Sequence, residues 1–434
     1  MATRGIQAVA ALVSILLVAR YLDRATQGYY YTFLGFAVFV QLSEFGLAYA
    51  VMQSASHESP TERSPVADLS ADHVLTSRLS ALLRGAFRFN STTTVLSAIV
   101  VALIGTRILD TGKPAGVGAQ VDWGGPWSAA ILAVAISQLL NPQIALLEGV
   151  GYVEAVWLLR LKQEVAAACA LWAGLVFGFG LWSIAVSYVV RLAVGLTWVQ
   201  SGWRRPYFAR LKQKDAVAHG AYWWGEVWPF QWRIGVSAVS GYLIFQFFTP
   251  LMFALKGAEI AGQFGMTLSL TNGLLTATSA WLASQAPLFG RLIAQGSFHD
   301  LDLRFKRSLL SSFAVVLGAG AILEGGVILL NRIHHPFAAR MLPPTAFALF
   351  VGAAVTNHVI FAMAVYLRAH RREPLMAASV CGALLTPLTI YIAGRHFGTT
   401  AIAGCYLALT LLGLVITTAV FFSCARGWRT QSYA

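Results

Sequence analysis

Long apolar runs separated by short polar joints recur along the whole chain. They predict helical spans at 4–22, 29–52, 87–109, 124–149, 163–179 and 181–202. A second set is predicted at 226–249, 260–288, 308–330, 342–367, 375–394 and 399–423. Most of these runs approach or exceed the roughly 20 residues that carry an α-helix across a hydrocarbon core. A helix is also the element that satisfies its own backbone hydrogen bonds in lipid. The expected fold is therefore an all-α polytopic membrane protein of about twelve transmembrane helices. Its expected organisation is an N-terminal six-helix bundle (1–202), a cytoplasmic linker (203–225) and a C-terminal six-helix bundle (226–434) around a central cleft.

Two polar interruptions are longer than the others. Residues 53–86 begin as a Ser/Glu/Pro-rich linker, HESPTERSPVADLSADH. Leu75, Leu79, Leu82 and Leu83 then recur at helical spacing around Arg78 and Arg84, which predicts an amphipathic helix on the inner leaflet. The other interruption is the linker between the halves. With the N-terminus cytoplasmic, the inner segments hold roughly 21 Lys and Arg against roughly 8 outside, so both termini are placed in the cytoplasm. Arg204, Arg205, Arg210, Lys212 and Lys214 form the densest inner cluster, followed by Arg304, Lys306 and Arg307, then Arg368, Arg371 and Arg372.

Composition sharpens this picture. Hydrophobic residues make up 57% of the 434 and charged residues 11%, with mean hydropathy +0.65. Soluble domains carry about a quarter charged residues. The formal charge of +13 invites a nucleic-acid partner, but the charges sit in short loops between spans, so none is expected. Cys169, Cys381, Cys405 and Cys424 lie in or at the ends of apolar runs, at spacings that suit neither a metal site nor a disulfide framework. They read as small buried thiols. The first run lacks a small-residue cleavage site and leads into the next span, so no cleavable signal peptide is expected. Trp123 and Trp127 outside, with Trp203, Trp223, Trp224 and Trp228 inside, fit interfacial aromatic belts, with a sugar platform as the minor reading. No ATPase, zinc-hydrolase or nucleophile-elbow motif occurs, and no enzyme is expected.

The halves also echo one another. VARYLDRATQGYYYTFLGF and MFALKGAEIAGQFGMTLSL each run from an apolar helix through a short charged turn to a glycine (Gly28, Gly262) and an aromatic opening the next helix. An even span number per half makes such repeats parallel, with the substrate site commonly between them.

Three stretches resemble the multidrug/oligosaccharidyl-lipid/polysaccharide flippase superfamily, and within it the polysaccharide-transport and O-antigen flippase branch. They are ARYLDRATQGYYYTFLGFAVFVQLSEFGL (Ala19 to Leu47), ALLEGVGYVEAVWLLRLKQE with GFGLWSIAVSYVVRLAV (Ala145 to Glu164, Gly178 to Val194), and LKGAEIAGQFGMTLSLTNGLLTATSAWLASQAPLFGRL (Leu255 to Leu292). The resemblance implies a flippase that moves a polyprenyl-diphosphate-linked oligosaccharide across a bacterial inner membrane by alternating access, for cell-surface polysaccharide assembly. The implied partners are the lipid-linked oligosaccharide, membrane lipids and polysaccharide-assembly proteins. The family often carries an acidic residue midway through the seventh span. Here that region reads GYLIFQFFTP, with Phe248 near the place.

Charge at membrane depth marks candidate sites. Arg191 and Arg233, one from each half, are candidate ligands for the diphosphate through paired charge-assisted hydrogen bonds; the alternatives are snorkelling or pairing with a nearby carboxylate. Gln138, Asn141, Asn272 and Gln285 are candidate cavity residues. Glu44, Glu148, Glu324 and His358 are candidates for ion coupling, by H+ or Na+, or for fixed charge pairs. No other cofactor and no metal is expected. Pro142, Pro229, Pro250, Pro287 and Pro387 are expected to break or kink spans.

Three other activities fit parts of the pattern. An ion-coupled drug antiporter of the same superfamily would centre on a carboxylate. A glycan ligase or polymerase would need a large outer loop, and the longest predicted one (108–123) offers only Asp110 and Asp122. A scaffold without transport activity would tolerate loss of the intramembrane charges.

Overall fold

A computed structural model describes residues 2–58, 73–112, 121–213, 223–370 and 374–432. The linker at 59–72, residues 214–222 with Lys214, and Arg371 and Arg372 lie outside the described residues. The described residues form helices and contain no strand. The first half comprises α1 (Ala2–Tyr21), α2 (Arg24–Gln41), α3 (Leu47–Glu58), α4 (His73–Thr111), α5 (Gly124–Gln138), α6 (Asn141–Gly149), α7 (Val153–Val176), α8 (Trp182–Gln200) and α9 (Arg204–Gln213). The second comprises α10 (Trp228–Phe245), α11 (Phe248–Lys256), α12 (Ala258–Ala294), α13 (Phe298–Arg332), α14 (Pro344–Ala369), α15 (Met376–His396) and α16 (Thr399–Ser432).

Every predicted span falls on a helix or on consecutive helices. Among the described residues eight helical stretches are long and apolar enough to cross a membrane, and counting the broken pair α10–α11 as one span brings the number to nine. The other predicted spans lie on α1, on α7 with Arg160, Lys162 and Glu164 in its first half, and on α12, which is diluted by Gly, Ser, Thr and Asn. Large aliphatic side chains such as Leu103, Leu310, Ile322, Leu384 and Val415 point outward. In water such a surface would aggregate; in a bilayer it is the solvated face. The chain is a multi-pass membrane protein.

Two compact units form. One contains Met1–Thr32 and Leu243–Ala434, the other Phe33–Tyr242. In the first, Phe248 is buried among Phe264, Phe350 and Tyr406, at centroid distances of 6.3, 5.8 and 4.8 Å. Phe248 thus belongs to an aromatic cluster. In the second, Trp127 packs on Phe33 and Phe36 at 5.1 and 5.5 Å, over Gly105, where a Cβ would lie 2.3 Å from its ring.

The structure differs from several expectations. The leucine stripe at 79–83 does not lie on lipid. It is the first part of α4, continuous with the third span, and Leu79, Leu82 and Leu83 are buried with Tyr207, Phe208 and Leu211 of α9. An apolar stripe beside arginines serves a leaflet and a partner helix equally well. Trp127 and Trp223 are core residues rather than belt residues, whereas Trp224 is exposed. Cys169 and Cys381 are exposed rather than buried, since a thiol facing hydrocarbon needs no protein cover; all four cysteines are free. Pro142 and Pro250 lie in the first turns of helices that follow breaks, and Pro229 in the first turn of α10, while Pro287 and Pro387 sit inside continuous helices.

Candidate functional site

The second span breaks midway along its length, and the break organises the site. α2 ends at Gln41, a 3-10 turn takes Leu42–Glu44, and α3 resumes at Leu47. Between them Phe45 (φ 48°) and Gly46 (φ 71°) are both left-handed. Such a conformation costs an ordinary residue about 1–2 kcal/mol, so the packing around it must hold it. Here Gly46 lies against Ile234 and Phe45 against Gly235. A Cβ on Gly46 would come 2.5 Å from Ile234 Cγ2, and one on Gly235 would come 2.4 Å from Phe45 Cδ1.

Breaking a helix in lipid frees backbone groups that need partners. The Gln41 carbonyl accepts from Gln138 Nε2 at 2.7 Å, and the Glu44 carbonyl from Gln231 Nε2 at 3.3 Å. Gln138 stands at a second break, between α5 and α6. Its own carbonyl accepts from Asn90 Nδ2 at 2.6 Å. Asn141, opening α6, uses its Nδ2 twice: to Glu44 Oε2 at 2.9 Å and to Gln138 Oε1 at 2.9 Å. Glu44, Gln138 and Asn141, all read from the sequence as site candidates, therefore form one connected cluster that joins two broken helices.

A cavity of about 420 Å³ opens from this cluster, within the size range of small-molecule sites. Glu44, Tyr49, Glu148, Arg160, Ile234 and Ala238 are among its lining residues. Glu148 pairs with Arg160, Nη2 to Oε2 at 2.7 Å. The guanidinium is the more open partner, 52% exposed against 18% for the carboxylate. Among the described residues the lining thus sets two carboxylates against one guanidinium. Irregular backbone at membrane depth persists where protein or a cavity surrounds it, and this arrangement supplies both.

The remaining sequence candidates lie elsewhere. Arg191 pairs with Glu164 of α7 at 2.8 Å, and its carbonyl accepts from Gln163. Arg233 lies 5.7 Å from the Trp232 ring centroid. Neither arginine lines the cavity, and both belong to the Phe33–Tyr242 unit. In the other unit, His358 is fully buried with Nε2 2.9 Å from Ser312 Oγ, and its Nδ1 has no hydrogen-bond partner among the described residues. Glu324 Oε2 is buried without a hydrogen-bond partner among the described residues. The Asn272 carbonyl accepts from Thr276 Oγ1, and Gln285 Nε2 is 3.5 Å from Ser284 Oγ. Among the described residues no group of three His, Cys, Asp or Glu side chains is placed to hold a metal ion.

Arg160 and Glu164 escaped the sequence reading. The fifth span was expected to start at 163, whereas α7 begins at Val153, and both residues ride on it. Their i, i+4 spacing in RLKQE was the available signal.

The first unit has a polar junction of its own. Gln27 Nε2 donates to the Gly262 carbonyl at 3.0 Å and to the Arg340 carbonyl at 3.1 Å, while Arg340 Nη1 donates to Gln27 Oε1 at 3.0 Å. Arg340 lies between α13 and α14. Burial and then Arg24 push its pKa below the ordinary arginine value, against Asp23 and Tyr31, which raise it.

No family model matches the chain, and no curated protein matches it. Solved structures do. An inward-facing multidrug resistance MATE family transporter of the MOP superfamily aligns at TM-score 0.60 and 11% identity, over 96% of this chain and 99% of that one. The lipid II flippase MurJ in an inward closed conformation aligns at 0.64 and 11%, over 98% and 86%. A point mutant of the Vibrio cholerae MATE transporter VcmN aligns at 0.56 and 12%, over 98% and 94%. The chain has the fold of these transporters and of this flippase.

Proposed function

We propose that this protein is a flippase of the polysaccharide-transport and O-antigen type. It carries a polyprenyl-diphosphate-linked oligosaccharide across a bacterial inner membrane by alternating access. The observation that carries this reading is the Glu44–Asn141–Gln138 cluster, which joins two helix breaks and opens on a cavity holding the Glu148–Arg160 pair. A polar headgroup needs such a path, while its lipid tail stays in the bilayer. The fold shared with a lipid II flippase and the three family-like stretches support the same substrate class. Glu44 is the coupling carboxylate in this reading, taking H+ or Na+, since the sequence offers no ATPase motif to drive transport. The halves 1–202 and 226–434 rock about the site, with both termini cytoplasmic, and polysaccharide-assembly proteins supply and remove the substrate.

A gene deletion tests the proposal. Lipid-linked intermediates should accumulate in the deletion strain, wild type should clear them, and Glu44→Gln or Asn141→Ala should not. Normal glycan lipids in the deletion strain would sink the flippase reading. One observation favours a second reading, an ion-coupled antiporter of cationic small molecules: the cavity lining is one carboxylate richer than it is cationic. Loss of drug efflux in Glu44→Gln, with surface glycans intact, would establish it instead.

A further inference from the structure

We propose that this cavity binds a phosphate group only once Glu44 has taken up a proton or a monovalent cation, and that Arg160 is the phosphate ligand. The inference rests on the flippase reading for the ligand's identity and on the cavity for everything else.

Arg160 has the chemistry. A guanidinium offers five N–H donors in a planar fork that matches phosphate oxygens. Among the described residues only Nη2 is engaged, by Glu148. The more buried Glu148 holds the head in place, and the remaining edge of the fork stays available at the cavity wall. Arg191, the sequence candidate, is committed to Glu164 and lies outside the lining.

The charge balance supplies the condition. With Glu44 and Glu148 ionised and Arg160 cationic, the described residues of the lining carry one net negative charge. An incoming phosphate meets that charge at low dielectric, where repulsion is strong. Neutralising Glu44 brings the lining to zero and leaves the Arg160–Glu148 dipole to receive the anion. Tyr49 of α3, Glu148 of α6 and Arg160 of α7 are the titratable groups around Glu44 in the lining. α5 and α10 turn Gln138, Gln231 and Ile234 toward the break, and α4 meets it with Thr94, none of them charged. Linkage is reciprocal, so a bound phosphate must strengthen cation uptake at Glu44 by the same factor.

The test uses the full-length protein in phosphatidylcholine nanodiscs, with farnesyl diphosphate as probe and farnesol as the control lacking phosphate. Between pH 6 and 8, wild-type affinity should fall by up to about tenfold per pH unit, the slope of one linked proton. Glu44→Gln should bind at pH 8 as wild type does at low pH, and its slope should reduce to the probe's own ionisation, which both proteins share. Glu148→Gln should bind more tightly than wild type at pH 8. Arg160→Ala should lose at least about tenfold at every pH, the scale of one charge-assisted hydrogen bond. Inorganic pyrophosphate should compete. Should Arg160→Ala misfold, the Glu44 and Glu148 variants still decide. An unchanged slope in Glu44→Gln, equal binding of farnesol, or full affinity in a folded Arg160→Ala would each overturn the proposal. Binding is read without transport, so its failure leaves the cellular result standing. Coupled binding without accumulation of intermediates in cells would instead sink the flippase reading alone.

Discussion

Gly28 and Gly262, which open α2 and α12, pack against one another: a Cβ on Gly262 would lie 3.0 Å from the backbone nitrogen of Gly28. They are the two glycines that the repeated turn marks in sequence. The contact is tighter from the other side, where a Cβ on Gly28 would lie 1.9 Å from the carbonyl oxygen of Ala258. Backbone cannot rotate aside as a side chain can, so the helices must part. Gly28→Ala should therefore cost at least the roughly 3 kcal/mol at the upper end for overpacking. Gly262→Ala should cost less. Thermal unfolding in detergent, read by size-exclusion chromatography, should rank wild type above Gly262→Ala above Gly28→Ala. Equal melting temperatures would show that the helices part freely.

Gly46 combines two constraints that a double substitution separates. Its φ of 71° penalises any side chain, and a Cβ there would also meet Ile234. Gly46→Ala should cost about 2–5 kcal/mol from both sources. Ile234→Ala removes the clash but leaves the backbone strain. Gly46→Ala/Ile234→Ala should thus recover part of the loss relative to Ile234→Ala alone, with about 1–2 kcal/mol remaining. Full recovery would mean that the break at Phe45–Gly46 relaxes at no cost.

How much of this was legible in sequence depended on the physical signal. The spans were legible because lipid demands long apolar helices, and the turns at Gly28 and Gly262 because they repeat. Glu44, Gln138 and Asn141 stood out as polar groups at membrane depth, and the structure joins them. Arg160 did not stand out, because the charges along α7 mimic a loop and hide its true start at Val153. The left-handed Phe45 was hidden too, since only the neighbouring Gly46 hints at it. The stripe at Leu79, Leu82 and Leu83 was visible, but its cover by α9 is a tertiary choice that periodicity leaves open.

The Arg191–Glu164 pair separates a structural role from a binding role. Each side chain is about a third exposed, 36% and 35%, so the pair is partly solvated and its removal should cost little more than a surface ion pair does, about 1 kcal/mol. Reversing both charges, Arg191→Glu with Glu164→Arg, should restore stability and also clearance of lipid-linked intermediates in the deletion strain. Restored stability without clearance would return Arg191 to the substrate path.

Gln27 is 1% exposed and uses both ends of its amide, so it should tolerate no replacement. Gln27→Ala removes the donor for the Gly262 and Arg340 carbonyls and the acceptor for Arg340 Nη1, in a place with no room for easy rehydration. Groups left unpaired in this way cost about 1–3 kcal/mol each, reduced where Arg340, which is half-buried, can turn toward solvent. Gln27→Met keeps the volume and loses the same hydrogen bonds, so it isolates the polar term from the cavity left by alanine. Both variants should melt below wild type, with alanine lowest by the cavity contribution. Arg340→Ala should cost less than either, because the Gln27 amide keeps its bonds to both carbonyls. If Gln27→Met melted like wild type, the α2–α12 junction would rest on glycine packing alone and the Gln27–Arg340 bonds would be incidental to it.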